Sequence, residues 1–170
     1  MMNATEITNH LESNAEVFKT MLSSKSSQEY TWRPDKASWT LLEIICHLYD
    51  EERDDFRARV KNTLETPHLQ PPSIDPPGWV QERDYAHQNF HERLEAFLAE
   101  RKNSILWLRS LTNAPWKNVY SHPTAGRMTA NAFLVNWLAH DYHHIRQINR
   151  RCYEYLREKS GVGLSYAGDW

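Results

Sequence analysis

The chain has 170 residues, of which 40% are hydrophobic and 25% are charged, and it contains only five glycines. This length fits one domain with its own hydrophobic core, and the composition is typical of a compact helical protein rather than a disordered or fibrous one. The net charge is −2 and no stripe of lysine and arginine is visible, so a nucleic-acid-binding surface is not expected. Because neither a signal peptide nor a membrane-spanning apolar stretch is recognisable, we expect a cytoplasmic protein with no membrane partner.

The first two predicted helices lie in the first third of the chain. Apolar residues recur at helical spacing over residues 4–22, which predicts the first helix. Thr40 and Glu43 form a T-x-x-E capping box, and Trp39 before the cap can pack onto Ile44. These start signals predict a second helix over about 41–62.

The middle of the chain begins with TPHLQPPSIDPPGW, residues 66–79, which contains five prolines. Because proline lacks a backbone donor and has a restricted φ, neither a helix nor a strand is expected there. A third helix is predicted over about 80–111 and a fourth over about 130–158, the latter capped by Thr129. The predicted fold is therefore all-α: a four-helix bundle with a long proline-rich crossover between helices 2 and 3.

The last predicted helix contains three histidines within HDYHH, residues 140–144. Its inward-facing side is a series spaced by four and three residues: Phe133, Trp137, His140, His144, Gln147 and Arg151. His140 and His144 therefore lie one turn apart on the same face as the buried aromatic residues. His143 lies about 60° around the helix from His140, because each residue advances about 100°.

Two imidazoles at positions i and i+4 can reach one metal ion, since their Cβ atoms lie about 6 Å apart. His47 lies beside Ile44 and Leu48, near the edge of the apolar stripe of the second helix, so it can supply a third nitrogen. Three histidine ligands leave a coordination position for water or substrate. The alternative is that each histidine is an ordinary hydrogen-bonded core residue. A metalloprotease of the H-E-x-x-H type is not expected, because Asp141 replaces the glutamate.

Two stretches of the sequence resemble a known family. Residues 39–52, WTLLEIICHLYDEE, are similar to the W-x-x-x-E-x-x-x-H-L-x-D-x-E start of the second helix in the DinB-like, or YfiT-like, superfamily of four-helix bundles. Residues 126–148, GRMTANAFLVNWLAHDYHHIRQI, are similar to its last helix, in which an H-x-x-x-H pair precedes Q-I. In helix order the resemblance covers nearly the whole chain.

The resemblance implies a divalent metal ion, zinc, nickel or iron, with His47, His140 and His144 as ligands in a single domain over residues 1–170. Relatives in the superfamily use the metal to transfer a low-molecular-weight thiol to an electrophile, or to isomerise or hydrolyse small molecules. The resemblance also implies a homodimer.

Four further polar residues and one histidine are candidates for roles around such a site. Glu51 lies one turn after His47, where it is a fourth ligand, a general base, a hydrogen-bond acceptor for an imidazole, or a solvated carboxylate. Gln147 is either a substrate contact or a polar core residue. Asp50 is expected on the surface or behind a ligand, whereas Asp141 and His143 are expected in solvent or packed between helices.

Two functions remain open from the sequence. The first is a metal-dependent enzyme, a thiol transferase or hydrolase, that acts on a small-molecule substrate. In such an enzyme the metal lowers the pKa of bound water or thiol near neutral pH. The second is a binding or stress-related protein whose metal is structural or sensory.

Overall fold

Long helices dominate the computed structural model, which describes residues 2–124 and 126–168. In chain order the elements are α1 (Ala4–Leu22), α2 (Ser27–Tyr30), α3 (Leu41–Asp50), a π-helical segment (Glu51–Phe56), α4 (Arg57–Glu65), α5 (Pro76–Glu82), a 3-10 turn (Tyr85–His87), α6 (Phe90–Ser110), β1 (Val119–His122), β2 (Gly126–Thr129), α7 (Ala130–Ser160) and a second 3-10 turn (Ser165–Ala167). Helix α3, the π-helical segment and α4 follow one another directly and form one long helix. This helix, α1, α6 and α7 are the four members of the predicted bundle.

Each bundle member packs against two neighbours. Helix α1 contacts α6 and α7, and the long helix contacts the same two through α3, the π-helical segment and α4. The long helix begins at the capping box expected from the sequence: the backbone N–H of Glu43 donates to Oγ1 of Thr40 at 3.1 Å, and the backbone N–H of Thr40 donates to Oε2 of Glu43 at 2.7 Å. The start of the helix that contains His47 is therefore set by local sequence.

The π-helical segment changes which side chains of the long helix face the interior. It contains Glu51, Glu52 and Asp55, and all three are buried. A π-helical turn contains more residues than an α-helical turn, so residues after it move around the helix axis relative to an ideal α-helix. The shift is seen after the segment, where the next buried residue, Val60, follows Asp55 by five positions rather than by three or four.

The crossover and the third helix differ from the prediction. Helix α5 begins at Pro76 within the proline-rich stretch, because proline is tolerated in the first turn and Asp75 caps the helix by accepting from the backbone N–H of Gly78. The predicted third helix is interrupted after α5, where Asp84 adopts a left-handed conformation with φ 46°. Asn89 then caps α6 through Oδ1.

A short antiparallel hairpin was not expected from the sequence. Strands β1 and β2 pair Val119 with Thr129 and His122 with Gly126. Tyr120 is buried, and Thr129 ends the hairpin and caps α7 by accepting from the backbone N–H of Ala132. The hairpin therefore places the start of the helix that contains His140 and His144.

The hydrophobic core is divided into two clusters by a layer of polar side chains. One cluster includes Phe18, Leu48, Phe97 and Ile148, and the other includes Leu11, Val60, Ile105 and Leu138. Between them, in sequence order on the four bundle members, lie Asn14, Glu52, Arg101 and Asp141, all buried. This polar layer lies at the level of the histidines of α7. Among the described residues, no helix has the length and apolarity that a membrane span requires.

Candidate metal centre

The side chains of His47, His140 and His144 meet between α3 and α7. Nε2 of His140 lies 3.3 Å from Nε2 of His47 and 3.0 Å from Nε2 of His144. One ring nitrogen from each residue lies within 4.8 Å of the other two. We call these three residues the histidine cluster, and they are the three that the sequence analysis selected.

Burial keeps the rings of the histidine cluster neutral. Loss of hydration, reinforced by the neighbouring imidazoles, lowers the pKa of His47 to about 3 and that of His140 to about 2. Burial likewise lowers the pKa of His144 to about 4, although its hydrogen bond with Gln147 opposes this change. At neutral pH each ring therefore has one nitrogen with a free lone pair, which is the form that binds metals.

The hydrogen bonds around the cluster determine which nitrogen faces inward. Nδ1 of His144 donates to Oε1 of Gln147 at 2.7 Å, because an amide oxygen can only accept. A neutral imidazole has a single N–H, so Nε2 of His144 presents a lone pair to the cluster. Nδ1 of His47 is buried and has no hydrogen-bond partner among the described residues. The protein's own groups thus leave the nitrogens of this cluster incompletely satisfied, which costs free energy.

The spacing of the cluster fits a divalent ion. Nitrogens that lie about 2.0–2.1 Å from one ion at tetrahedral angles are about 3.4 Å apart. The two measured Nε2 separations of 3.3 and 3.0 Å are close to this spacing. Three neutral imidazoles are also a common donor set for zinc, nickel and iron. The residues present therefore fit a metal centre.

Aromatic rings enclose the cluster, and a pocket opens it to solvent. The Trp39 ring lies 4.9 Å from the ring of His47, and the Phe56 ring lies 4.8 Å from that of His140, measured between centroids. All three histidines line a pocket of about 540 Å³ whose wall also includes Trp39. A second pocket, of about 420 Å³, reaches His140 from the side of Phe56 and the hairpin. Both volumes fall within the range of small-molecule sites.

Glu51 is buried beside the cluster rather than solvated. Its Oε2 lies 3.9 Å from Nε2 of His140, which is too far for a hydrogen bond. Burial, with the neighbouring carboxylate of Asp55, raises the pKa of Glu51 to about 8. The reading of Glu51 as a solvated carboxylate of the acidic run is therefore wrong.

The other candidates lie at different distances from the cluster. Gln147 contacts His144 and lines the 540 Å³ pocket. His143 is exposed at the rim of that pocket. Asp50 is buried on another side of α3, where it accepts from the hydroxyl of Tyr85 at 2.6 Å and pairs with Arg83 at 2.7 Å. The structure thus separates Asp50 from the site.

Asp141 belongs to a buried ionic network that the sequence analysis missed. Arg101 donates to both oxygens of Asp141 at 2.7 Å and through Nε to Glu52 at 2.9 Å. Trp137 donates through Nε1 to Glu52 at 2.9 Å, and Asn14 donates to Asp141 at 3.1 Å. We call these five residues the arginine network, and it joins all four bundle members next to the histidine cluster.

The sequence contains two signals for this network. Arg101 lies four residues after Phe97 and four before Ile105, both on the inner face of the third helix, so helical spacing places it inside the bundle. Glu52 follows Leu48 by four residues and Ile45 by seven, so helical spacing places it on the inner face of the long helix as well.

Comparison with known protein families identifies a match over most of the chain. A sequence model of the DinB superfamily matches residues 10–148, which include the histidine cluster. The chain belongs to the DinB superfamily. Comparison of this DinB-superfamily chain with curated proteins finds no match.

The fold of this DinB-superfamily chain is also found among solved structures. It is similar to YfiT from Bacillus subtilis, described as a probable metal-dependent hydrolase with an unusual four-helix bundle topology. The two share 19% sequence identity and superimpose with a TM-score of 0.78, over 94% of this chain and 89% of YfiT. The similarity confirms the predicted four-helix bundle.

Proposed function

We propose that His47, His140 and His144 hold a divalent metal ion, zinc, nickel or iron, and that the protein is a metal-dependent enzyme acting on small molecules. The observation that supports this proposal is the convergence of three histidine nitrogens at a pocket of about 540 Å³. Catalytic zinc sites have three protein ligands and an open position, whereas structural sites have four protein ligands. The number of donors and the adjoining space therefore favour catalysis over a structural or sensory metal.

The reaction we propose is hydrolysis or thiol transfer. When bound, a divalent ion acts as a Lewis acid that makes water or a thiol nucleophilic near neutral pH. Hydrolysis is supported by the similarity to YfiT, which is described as a probable metal-dependent hydrolase. Transfer of a low-molecular-weight thiol is the second form of the proposal, since the same donor set suits either nucleophile.

Three kinds of side chain support this chemistry. Gln147 accepts from Nδ1 of His144 and so keeps Nε2 of that ring directed at the cluster. Trp39 and Phe56 cover the rings of His47 and His140 and limit the access of water. Glu51 lies 3.9 Å from Nε2 of His140 and its raised pKa, about 8, lies near neutral pH, so it is placed to exchange a proton beside the cluster.

Metal content tests the ligands. Protein purified without chelator is expected to contain about one ion per chain, measured by elemental analysis. Changing His47, His140 or His144 to alanine should remove the ion. The matched control is His143→Ala, because His143 is a neighbour in sequence but exposed. Full metal content in all three cluster variants would contradict the proposed site.

Product analysis tests the reaction. Metal-loaded protein is incubated with a panel of small esters and amides, and separately with thiols and electrophiles. Free acid formed without thiol identifies a hydrolase, and a thioether adduct identifies a transferase. Glu51→Gln should reduce turnover while metal content is retained. If no metal-dependent product forms in either panel, the non-catalytic alternative is favoured.

A further inference from the structure

The pocket beside the histidine cluster continues along α7. His143 and Gln147 line both the 540 Å³ pocket and a larger groove of about 870 Å³ that follows α7 toward its C-terminal end. The groove also includes Ser165 and Gly168, which follow α7 in the chain. A molecule larger than a simple ester therefore has a continuous path from the histidines along this helix.

Arg151 lies in the wall of the 540 Å³ pocket and is incompletely paired. Arg151 is only 6% exposed, and its Nη1 donates to Oε2 of Glu154 at 2.7 Å. Nε of Arg151 is buried and has no hydrogen-bond partner among the described residues. A buried guanidinium whose donors are incompletely paired is costly, and an oxyanion in the pocket would give the guanidinium a further acceptor.

The groove next to Arg151 has an excess of positive charge. Exposed arginines line one side of it: Arg146, Arg150 and Arg157. Among the described residues of its lining, Glu154 is the acidic one, and it is shared between Arg150 and Arg151.

Two acidic residues near the start of α3, Asp35 and Glu43, already have hydrogen-bond or ion-pair partners. Asp35 accepts from the backbone N–H groups of Ala37 and Ser38, and Glu43 pairs with Arg33. Three arginines of the groove, Arg146, Arg150 and Arg157, therefore face Glu154 as the acidic residue of its described lining, and Asp35 is a further carboxylate that acts on Arg151.

We propose that the substrate of this site has an oxyanion, a carboxylate or a phosphate, at the end distant from the reacting group, and that Arg151 binds it with help from the exposed arginines of the groove. Arg151 follows His144 by seven residues, which corresponds to about 10 Å along the helix. In the proposed substrate, the reacting group and the oxyanion are then about 10 Å apart. This inference rests on the proposed function for the reacting end, whereas anion binding itself does not depend on turnover.

Binding of small anions tests the proposal. Metal-loaded protein is titrated with succinate, with inorganic phosphate and with the neutral analogue succinamide, and binding is followed by NMR of backbone amides and arginine Nε–H groups. Signals of residues 146–157 should shift with succinate or phosphate and not with succinamide. Whichever anion binds more tightly identifies the carboxylate or the phosphate class.

Two sets of variants decide whether the arginines are responsible. Arg151→Gln and the double variant Arg146→Gln/Arg157→Gln should each raise Kd by about tenfold or more, since a charge-assisted hydrogen bond is worth about 1.5–3 kcal/mol. The double variant changes exposed residues only, so it decides the result if Arg151→Gln does not fold. Lys102→Gln/Lys117→Gln removes the same charge from other exposed positions and should leave Kd unchanged.

The outcomes separate this inference from the proposed function. Repeating the titration with the metal-free variant His140→Ala should preserve anion binding at the arginines. Equal binding of succinamide, or an equal loss in the lysine control, would overturn the inference. Anion binding with no turnover on any substrate would leave the inference standing and contradict the proposed enzyme instead.

Discussion

The arginine network and the histidine cluster lie side by side in the bundle, yet they differ in how their polar groups are satisfied. Arg101 is 1% exposed and donates to two carboxylates and to the backbone carbonyl of Leu11. The three histidines have neutral rings whose nitrogens face one another, and Nδ1 of His47 has no partner among the described residues. A saturated buried network stabilises one arrangement of helices, whereas an unsaturated cluster is suited to a ligand. The comparison predicts opposite responses to mutation and to metal.

Removing the centre of the arginine network should have the largest effect on stability. Arg101→Met leaves the carboxylates of Glu52 and Asp141 buried without a countercharge, so we expect a loss of about 3–5 kcal/mol in the free energy of unfolding. Urea denaturation measures this change. The control is Arg109→Met, which breaks a half-exposed pair with Glu12 and should cost about 0–1 kcal/mol. Equal losses in the two variants would contradict a special role for the buried network.

Metal bound at the histidine cluster should stabilise the folded protein by an amount comparable to the loss in Arg101→Met. At a free metal concentration of about 100 times Kd, the free energy of unfolding should rise by about 2.7 kcal/mol. Chelator should reverse the gain, as followed by thermal denaturation. His140→Ala should abolish the gain and His143→Ala should retain it. A gain that persists in His140→Ala would place the metal elsewhere.

Loss of Gln147, which accepts a hydrogen bond from His144, should weaken metal binding without abolishing it. Gln147→Ala removes the acceptor of the Nδ1 proton, and such losses typically reduce metal affinity by about 10–100-fold. Competition with a chromophoric chelator measures the affinity. Gln28→Ala changes an exposed glutamine and should bind metal as the parent protein does. An unchanged affinity in Gln147→Ala would mean that the orientation of His144 is determined by packing alone.

In metal-free protein, replacing a histidine of the cluster should have the smallest effect. His140→Leu removes a mostly buried polar ring whose Nε2 contacts, among the described residues, only the other two imidazoles of the cluster, so the free energy of unfolding should change by less than about 1 kcal/mol. Urea denaturation in the presence of chelator measures it. A loss as large as that of Arg101→Met would show that the cluster, like the arginine network, is part of the stabilising core.

Much of the fold could be predicted from local patterns. Helix α1 begins and ends where the apolar spacing indicates, and α3 begins at the capping box of Thr40 and Glu43. The break between α5 and α6 was missed, although Asp84 and Asn89 are residue types that favour left-handed backbone and helix caps. The hairpin was missed because strands of four residues have little periodicity to detect.

Part of the candidate site could be predicted because it follows helix geometry. His140 and His144 are one turn apart on one α-helix, so their shared face is a property of the sequence. A solvated position was one of the alternatives left open for Glu51, since acidic runs are usually exposed. Its burial follows from the packing of α7 against this part of the long helix.

The sequence by itself determined α1, the capped starts of α3 and α7, and the pair of histidines that share a face, because these depend on contacts within a few residues. Only the tertiary structure decided that His47 meets that pair, that Arg101 joins two buried carboxylates, and that Arg151 lies in the wall of the same pocket. These arrangements depend on how four separate helices pack, and packing is set by the sum of many long-range contacts rather than by any local pattern.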